Sequence, residues 1–208
     1  MIQHLPQWEM GSFEPYISTE TMQAHVDLHR GYVDRLNSRI PEAILRFKPS
    51  YVLRNLPGFL SEPLRQFYRD NMGGNIAHTL FWKTITPKPS LVSRLESIST
   101  DTALIIDEVL EEGLKVVGSG WVWGALGPHG FRVYSTRNHD TPYMRSHTPI
   151  FCVDVWEHAY YIDQRGDREA WLQNVLSYID WEFVEERARE CVWGQDDLDS
   201  LLLDDSTS

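Results

Sequence analysis

The eight histidines of this 208-residue chain are scattered singly, and three neighbourhoods give some of them a use. His25 and His29 stand four apart and Tyr32 is seven from His25, so in a helix they form one stripe, with Tyr32 within about 20° of His25. The rest of that face looks buried. The stripe therefore reads either as helix surface with ordinary hydrogen bonds or as part of a site. His78 lies in Ile76-Ala77-His78-Thr79-Leu80-Phe81-Trp82, where an uncharged imidazole needs a hydrogen-bond partner or a metal. Taken alone, it is the plainer case of a hydrogen-bonded core residue. Asp154-Val155-Trp156-Glu157-His158 places a carboxylate at the end of an apolar strand and an imidazole four residues on. Such a carboxylate is costly to bury unless a cation neutralises it. Three imidazoles with one carboxylate suit iron, manganese or zinc, and a single anionic ligand leaves positive charge on the ion to attract a small anion. The spacing is not that of a zinc finger, and His-Glu-x-x-His does not occur.

These residues need elements to hold them. Ser18 to Ile40 carries apolar residues at helical steps (Met22, Val26, Val33, Leu36, Ile40), with Ser18 or Thr19 as N-cap and Pro41 as the stop. A second helical tract begins near Ser61-Glu62-Pro63 and runs through Phe67, Ile76, Phe81 and Trp82. It contains Gly73-Gly74, each about 1 kcal/mol less favourable than Ala in a helix, so the pair marks either a break or the close approach of another backbone or a site. Thr86-Pro87-Lys88-Pro89-Ser90 forces an extended segment and predicts a domain change near residue 88. Leu91 to Ser97 and Thr102 to Val117 read as helices. The β-prone runs Gly120 to Leu126, Phe131 to Ser135 and Ile150 to Val155 follow, then helices over Arg168 to Ile179 and Glu182 to Val192. The expected fold class is α+β: a long helical hairpin over 1–88, then an α/β domain over 89–208 with a small three-stranded antiparallel sheet. Its acidic tail, about 194–208, carries five Asp around Leu201-Leu202-Leu203 and reads as a mobile end or a partner-docking segment.

Composition narrows the classes further. A 42% hydrophobic and 12% aromatic content supports a buried core and argues against disorder or a disulfide miniprotein. A formal charge of −11 has the wrong sign for nucleic-acid binding over a broad surface. No apolar run approaches the roughly 20 residues of a membrane span. The only cysteines, Cys152 and Cys191, suit a reducing compartment. The expected location is the cytoplasm, or the mitochondrial matrix if a leader has been removed.

Over nearly its whole length, from His4-Leu5-Pro6 to Asp180-Trp181-Glu182, the sequence resembles the iron/manganese superoxide dismutase family. Asp154-Val155-Trp156-Glu157-His158-Ala159-Tyr160-Tyr161 matches the family signature around two metal ligands. Gly118-Ser119-Gly120-Trp121-Val122-Trp123 matches the start of its sheet, and Asn71-Met72-Gly73-Gly74-Asn75-Ile76-Ala77-His78 with Phe81-Trp82 its second ligand helix. The resemblance implies one iron or manganese ion per subunit, with His25, His78, Asp154 and His158 as ligands and solvent as the fifth. It implies His139 as the residue beside that solvent, Tyr32 as the gate tyrosine with His29 its neighbour, and Trp121, Trp123, Trp156 and Phe81 or Trp82 as a dry aromatic wall. It also implies a homodimer in which Glu157 bonds the ligand histidine of the other subunit and Tyr161 bonds the gate histidine. The activity implied is conversion of superoxide to oxygen and hydrogen peroxide.

Some positions depart from the family pattern. Eight residues usually separate the first ligand from the gate tyrosine in position number, whereas here the step is seven, and Leu28-His29-Arg30 replaces the usual adjacent histidine pair. Aligned back from Tyr32 the ligand would fall on Ala24, which cannot bind metal; aligned forward it is His25 and Tyr32 shifts by roughly 100°. Beyond the signature Arg168 is kept, but the usual tyrosine and asparagine are missing. An enzyme with altered activity is one reading, with Arg30 or Arg168 supplying local positive potential and a rate that falls as salt rises. The other is a noncatalytic module of the kind found in mitochondrial ribosomes, which missing ligands or a basic surface would mark.

Overall fold

The first expected helix forms in the computed structural model, which describes residues 11–39, 47–55 and 60–193, as α1, Thr19–Arg39. Met22, Val26, Val33 and Leu36 are buried along it, and the Ser18 hydroxyl oxygen accepts the Thr21 N–H at 3.2 Å, capping the first turn. The stop expected at Pro41 and the acidic segment 194–208 lie outside the described residues. A short helix that the pattern does not single out, α2 (Pro49–Asn55), buries Val52 and Leu53.

The second tract is one unbroken helix, α3 (Glu62–Thr84), with proline in its first turn. It ends where Ile85 turns extended and pairs with Ile179. Arg35 bonds Asn71 while His29 bonds Asn75, so rising numbers on α1 meet falling numbers on α3 and the two form an antiparallel hairpin. Gly73 and Gly74 do not break it. A Cβ on Gly73 would drive into the His139 carbonyl oxygen, and one on Gly74 would stand 3.1 Å from the Tyr32 ring. Close approach is thus the reason for the pair, and the helix-propensity cost is met by packing on both sides.

One stretch differs from expectation. Instead of a helix, Leu91 to Ser97 holds β1 (Arg94–Leu95) and the start of a 3-10 turn, Glu96–Ile98, which leads to β2 (Thr100–Asp101). Tertiary contacts override the helical pattern here: Arg94 pairs with Asp101 across the ladder at 2.6 Å, and the Glu185 carboxylate takes the Ser97 hydroxyl at 2.6 Å. The next helix, α4 (Thr102–Lys115), stops two residues short of the expected Val117.

The sheet then forms as expected from β3 (Gly120–Gly127), β4 (Gly130–Arg137) and β5 (Thr148–Asp154), in the antiparallel order β4-β3-β5. The central strand β3 is buried from Gly120 through Ala125, which is why it shows no clean alternation. Trp121 lies opposite Asp154 and Trp123 opposite Cys152, a register that delivers Asp154 to the α3 side of the sheet end. Gly124 lies opposite Phe151, whose ring occupies the place of a Cβ. Gly124→Ala is therefore expected to lower stability by about 1–3 kcal/mol through overpacking; a denaturant midpoint equal to that of the parent would show that the ring yields.

After a 3-10 turn at Glu157–Ala159 come α5 (Tyr161–Gln164), α6 (Arg168–Leu176) and α7 (Trp181–Val192). Asp167 and Asp180 cap the last two, accepting from Ala170 N at 2.9 Å and Phe183 N at 3.1 Å. Helix α6 ends before the expected Ile179, because Tyr178 and Ile179 are drawn into pairing with Thr86 and Ile85. No described helix is long and apolar enough to cross a membrane.

Candidate metal centre

Four side chains from four elements converge where the α1–α3 hairpin meets the end of the sheet. His25 comes from α1, His78 from α3, Asp154 from the last position of β5 and His158 from the turn after it. One donor atom from each lies within 4.8 Å of all the others. Asp154 Oδ2 stands 3.0 Å from His25 Nε2, 3.1 Å from His158 Nε2 and 4.0 Å from His78 Nε2. Two donors held about 2.1 Å from a shared ion at a right angle are about 3 Å apart, so these spacings suit a single first-row ion. His25, His78 and Asp154 are buried, whereas the His158 side chain is 19% exposed.

The protonation states fit as well. His78 Nδ1 donates to the Gly74 carbonyl at 2.7 Å, which fixes the proton there and leaves Nε2, buried and without a hydrogen-bond partner, as a lone pair facing the cluster. Burial pushes the pKa of His78 well below the ordinary histidine value, with His25 and His29 adding to the effect. Burial also lowers that of His25, against the opposing pull of Asp154. Burial alone would raise the Asp154 carboxyl, but the charge and hydrogen bonds of His158 and His25 overrule it and hold the group below the usual carboxylate range. Uncharged imidazoles at His25 and His78 beside an ionised Asp154 are the state in which such ligands bind a metal. Asp154 is further fixed by Trp156 N–H to Oδ1 at 2.8 Å, and its carbonyl accepts Trp171 Nε1–H at 2.7 Å. The donor set, the unpartnered His78 Nε2 and the buried ionised carboxylate shared by two imidazoles fit a metal ion.

Comparison with known proteins agrees with this geometry. Residues 2–86 match the model for the alpha-hairpin domain of iron/manganese superoxide dismutases, and residues 87–187 match the model for their C-terminal domain. The chain belongs to the iron/manganese superoxide dismutase family. Among its relatives is a protein of Thermus thermophilus named superoxide dismutase [Mn], 31% identical over 84% of this chain and 90% of the relative. A superoxide dismutase [Mn/Fe] of Methylomonas is 31% identical over 87% of this chain and 94% of its own. One named superoxide dismutase [Mn/Fe] 2, of Staphylococcus aureus, is 29% identical over 84% and 90%.

Around the four donors of this family member, aromatic rings pack closely. Trp121 meets His78 edge-on at 5.0 Å, Phe81 and Trp82 flank His25 at 5.3 and 4.6 Å, and Trp156 stacks on His139 at 4.5 Å. Trp123 lies one layer behind Trp121, its indole N–H bound to the Thr136 hydroxyl. His139 is buried, and burial lowers its pKa to about 4. Its Nε2 shares a 2.7 Å hydrogen bond with the Tyr32 hydroxyl, whose pKa is raised to about 12 by burial and then by the Asp154 charge. The shortened spacing does not separate this pair: seven residues are nearly two full turns, so Tyr32 stays on the His25 face and reaches His139.

Other expected residues sit differently from what the resemblance implies. His29 is fully buried, with Nδ1 accepting from Trp82 Nε1–H at 3.1 Å and Nε2 donating to Asn75 Oδ1 at 2.8 Å. Both of its ring nitrogens are engaged inside the chain, in competition with any bond from a second subunit. Ala24 does not enter the cluster. The two arginines expected to supply positive potential do other work. Arg30 is exposed and paired with Asp27 at 2.7 Å; Arg168 straps the Val116 and Gly118 carbonyls and the Tyr160 hydroxyl. The residues that sequence reasoning passed over are Asn75, which orients His29, and Arg35, whose guanidinium carbon lies 4.7 Å over the Tyr32 ring. Its position three residues after Tyr32 was the available signal.

Proposed function

We propose that the chain is a superoxide dismutase, converting two superoxide anions and two protons to oxygen and hydrogen peroxide at one iron or manganese ion held by His25, His78, Asp154 and His158. The observation that carries this reading is the buried convergence of those four donors with His78 Nε2 left unpartnered. When bound, the ion supplies a one-electron couple that takes an electron from one superoxide and returns it to the next. The chain supplies the remainder. Asp154 contributes the single negative charge, leaving net positive potential in the pocket to bind a small anion. Trp121, Phe81, Trp82 and Trp156 form a low-dielectric wall in which that potential is little screened. The Tyr32 hydroxyl stays protonated and His139 stays neutral at pH 7, so their shared hydrogen bond holds a proton between Oη and Nε2 at the edge of the pocket. Trp123 backs the wall, and His29 holds the α1–α3 seam beside His78.

The same surface supports a homodimer. Glu157 is exposed, Tyr161 is 53% exposed, and His158 is the one donor residue reached by solvent, so a second copy seated there would close the pocket. We also place a domain boundary near residue 88, just past the end of α3 at Thr84, and the protein in the cytoplasm, in keeping with its low cysteine content. A noncatalytic module finds no favour in a site that keeps all four donors. Purified protein is expected to carry about one iron or manganese ion per chain and to remove superoxide; a metal-free chain, or a metal-loaded one without activity, would overturn the reading.

A further inference from the structure

The reactant proposed for this site is an anion, yet the chain carries a formal charge of −11. Arg30 is held by Asp27, Arg69 by Asp140, and Arg168 by backbone carbonyls. Arg35 is placed otherwise. It lies one turn after Tyr32 on α1, and because helical side chains lean toward the N-terminus, its guanidinium folds back over the Tyr32 ring at 4.7 Å. Gly31 leaves the room, since a Cβ there would stand 3.0 Å from Arg35 Nη1. From α3, Asn71 Oδ1 accepts the Arg35 Nε–H at 2.5 Å while the Asn71 amide donates to the Phe67 carbonyl at 2.8 Å, which turns the oxygen toward the arginine. No carboxylate among the described residues pairs with Arg35, and its side chain is exposed. Its charge acts on both Tyr32 and His139; Asp70 acts on both in the opposite sense.

We propose that Arg35 is the guiding cation of this site, fixed by Asn71 at the rim of the Tyr32–His139 pair so that an anionic substrate meets local positive charge on an acidic protein. The proposal rests on the superoxide dismutase reading. Arg35 touches Tyr32 rather than the reacting atoms, so it is a positioning residue whose effect is on encounter. A charge at an exposed rim is screened within a Debye length of about 8 Å at physiological salt. Its contribution therefore belongs to kcat/KM at low ionic strength.

The test uses metal-loaded protein with Arg35→Gln, Arg35→Glu and Arg35→Lys, and Arg30→Gln as a control. Each is read by the ionic-strength slope of kcat/KM and by azide affinity from absorption titration. The parent should lose rate and azide affinity as salt rises. Arg35→Gln should lower both roughly three- to tenfold at low salt and flatten the slope, and Arg35→Glu should flatten or invert it. Arg35→Lys keeps the charge and should keep most of the slope, which a purely structural role for the guanidinium would not allow. Arg30→Gln, whose parent charge is already paired, should match the parent slope. Full metal and activity with an unchanged slope and azide affinity in Arg35→Glu would overturn this inference alone, whereas a parent without metal or activity would overturn it together with the enzymatic reading. If Arg35→Glu fails to fold, the contrast of Gln against Lys decides.

Discussion

Asp154→Ala is expected to strip the protein of its metal and its activity together. The carboxylate faces His25, His158 and His78 at 3.0, 3.1 and 4.0 Å, so it is both the charge that balances an ion and the acceptor that orders two of the imidazoles. Metal per chain should fall below about a tenth and activity by at least about a hundredfold, beyond the roughly 10–100-fold cost of altering groups outside the ligand set. The metal-free protein should also lose about 1–3 kcal/mol, because Trp156 N–H loses its 2.8 Å acceptor in a part-buried place. Asp154→Asn separates the two effects. It can still accept from Trp156 and pack in the same volume, so its metal-free stability should approach that of the parent while its metal content stays low. Metal analysis and thermal melting of both variants check this; an Asp154→Ala protein with a full metal complement would mean that the four donors are not the ligand set.

Gly73→Ala should be the most damaging change that touches no ligand. The new Cβ points at the backbone carbonyl of His139, which cannot swing aside as a flexible side chain could. Either α3 or the loop carrying His139 must shift, and the 2.7 Å bond between His139 and Tyr32 is lost. The expected result is a drop in activity of about a hundredfold or more, the lower end of the roughly 10²–10⁴-fold that one positioned proton-handling group contributes. Stability should fall by about 1–3 kcal/mol from overpacking, with metal retained. Gly74→Ala is the internal comparison, because its Cβ would meet the Tyr32 ring at 3.1 Å and a ring can yield by a few tenths of an ångström. A Gly73→Ala crystal with His139 and Tyr32 still bonded, or an enzyme of parental rate, would refute the account.

Much of this was legible before any coordinates. The steps of three and four through Met22, Val26, His29, Val33 and Leu36 give α1, where burial follows the local period, and the short β-prone runs bounded by turn residues give the three strands. His78 and Asp154 stood out as polar groups in apolar settings, and the structure brings both into one cluster. What sequence could not supply were choices settled by distant partners. Leu91 to Ser97 has a helical pattern that Arg94–Asp101 pairing and Glu185 undo. Gly73-Gly74 was open between break and close approach until His139 and Tyr32 were seen against it. Arg30 and Arg168 were the arginines expected near the site, and only the side-chain geometry shows Arg30 folded onto Asp27 of its own helix, Arg168 strapped to the Val116 and Gly118 carbonyls, and Arg35 over the Tyr32 ring.

The four donors stand on α1, α3 and the strand and turn at Asp154 and His158, so no contiguous stretch of chain holds the whole donor set. The complete donor set therefore exists only while the hairpin is seated on the sheet. Release demands that the same seam part, and an ion once enclosed leaves at the pace of that opening rather than at the pace of ligand exchange.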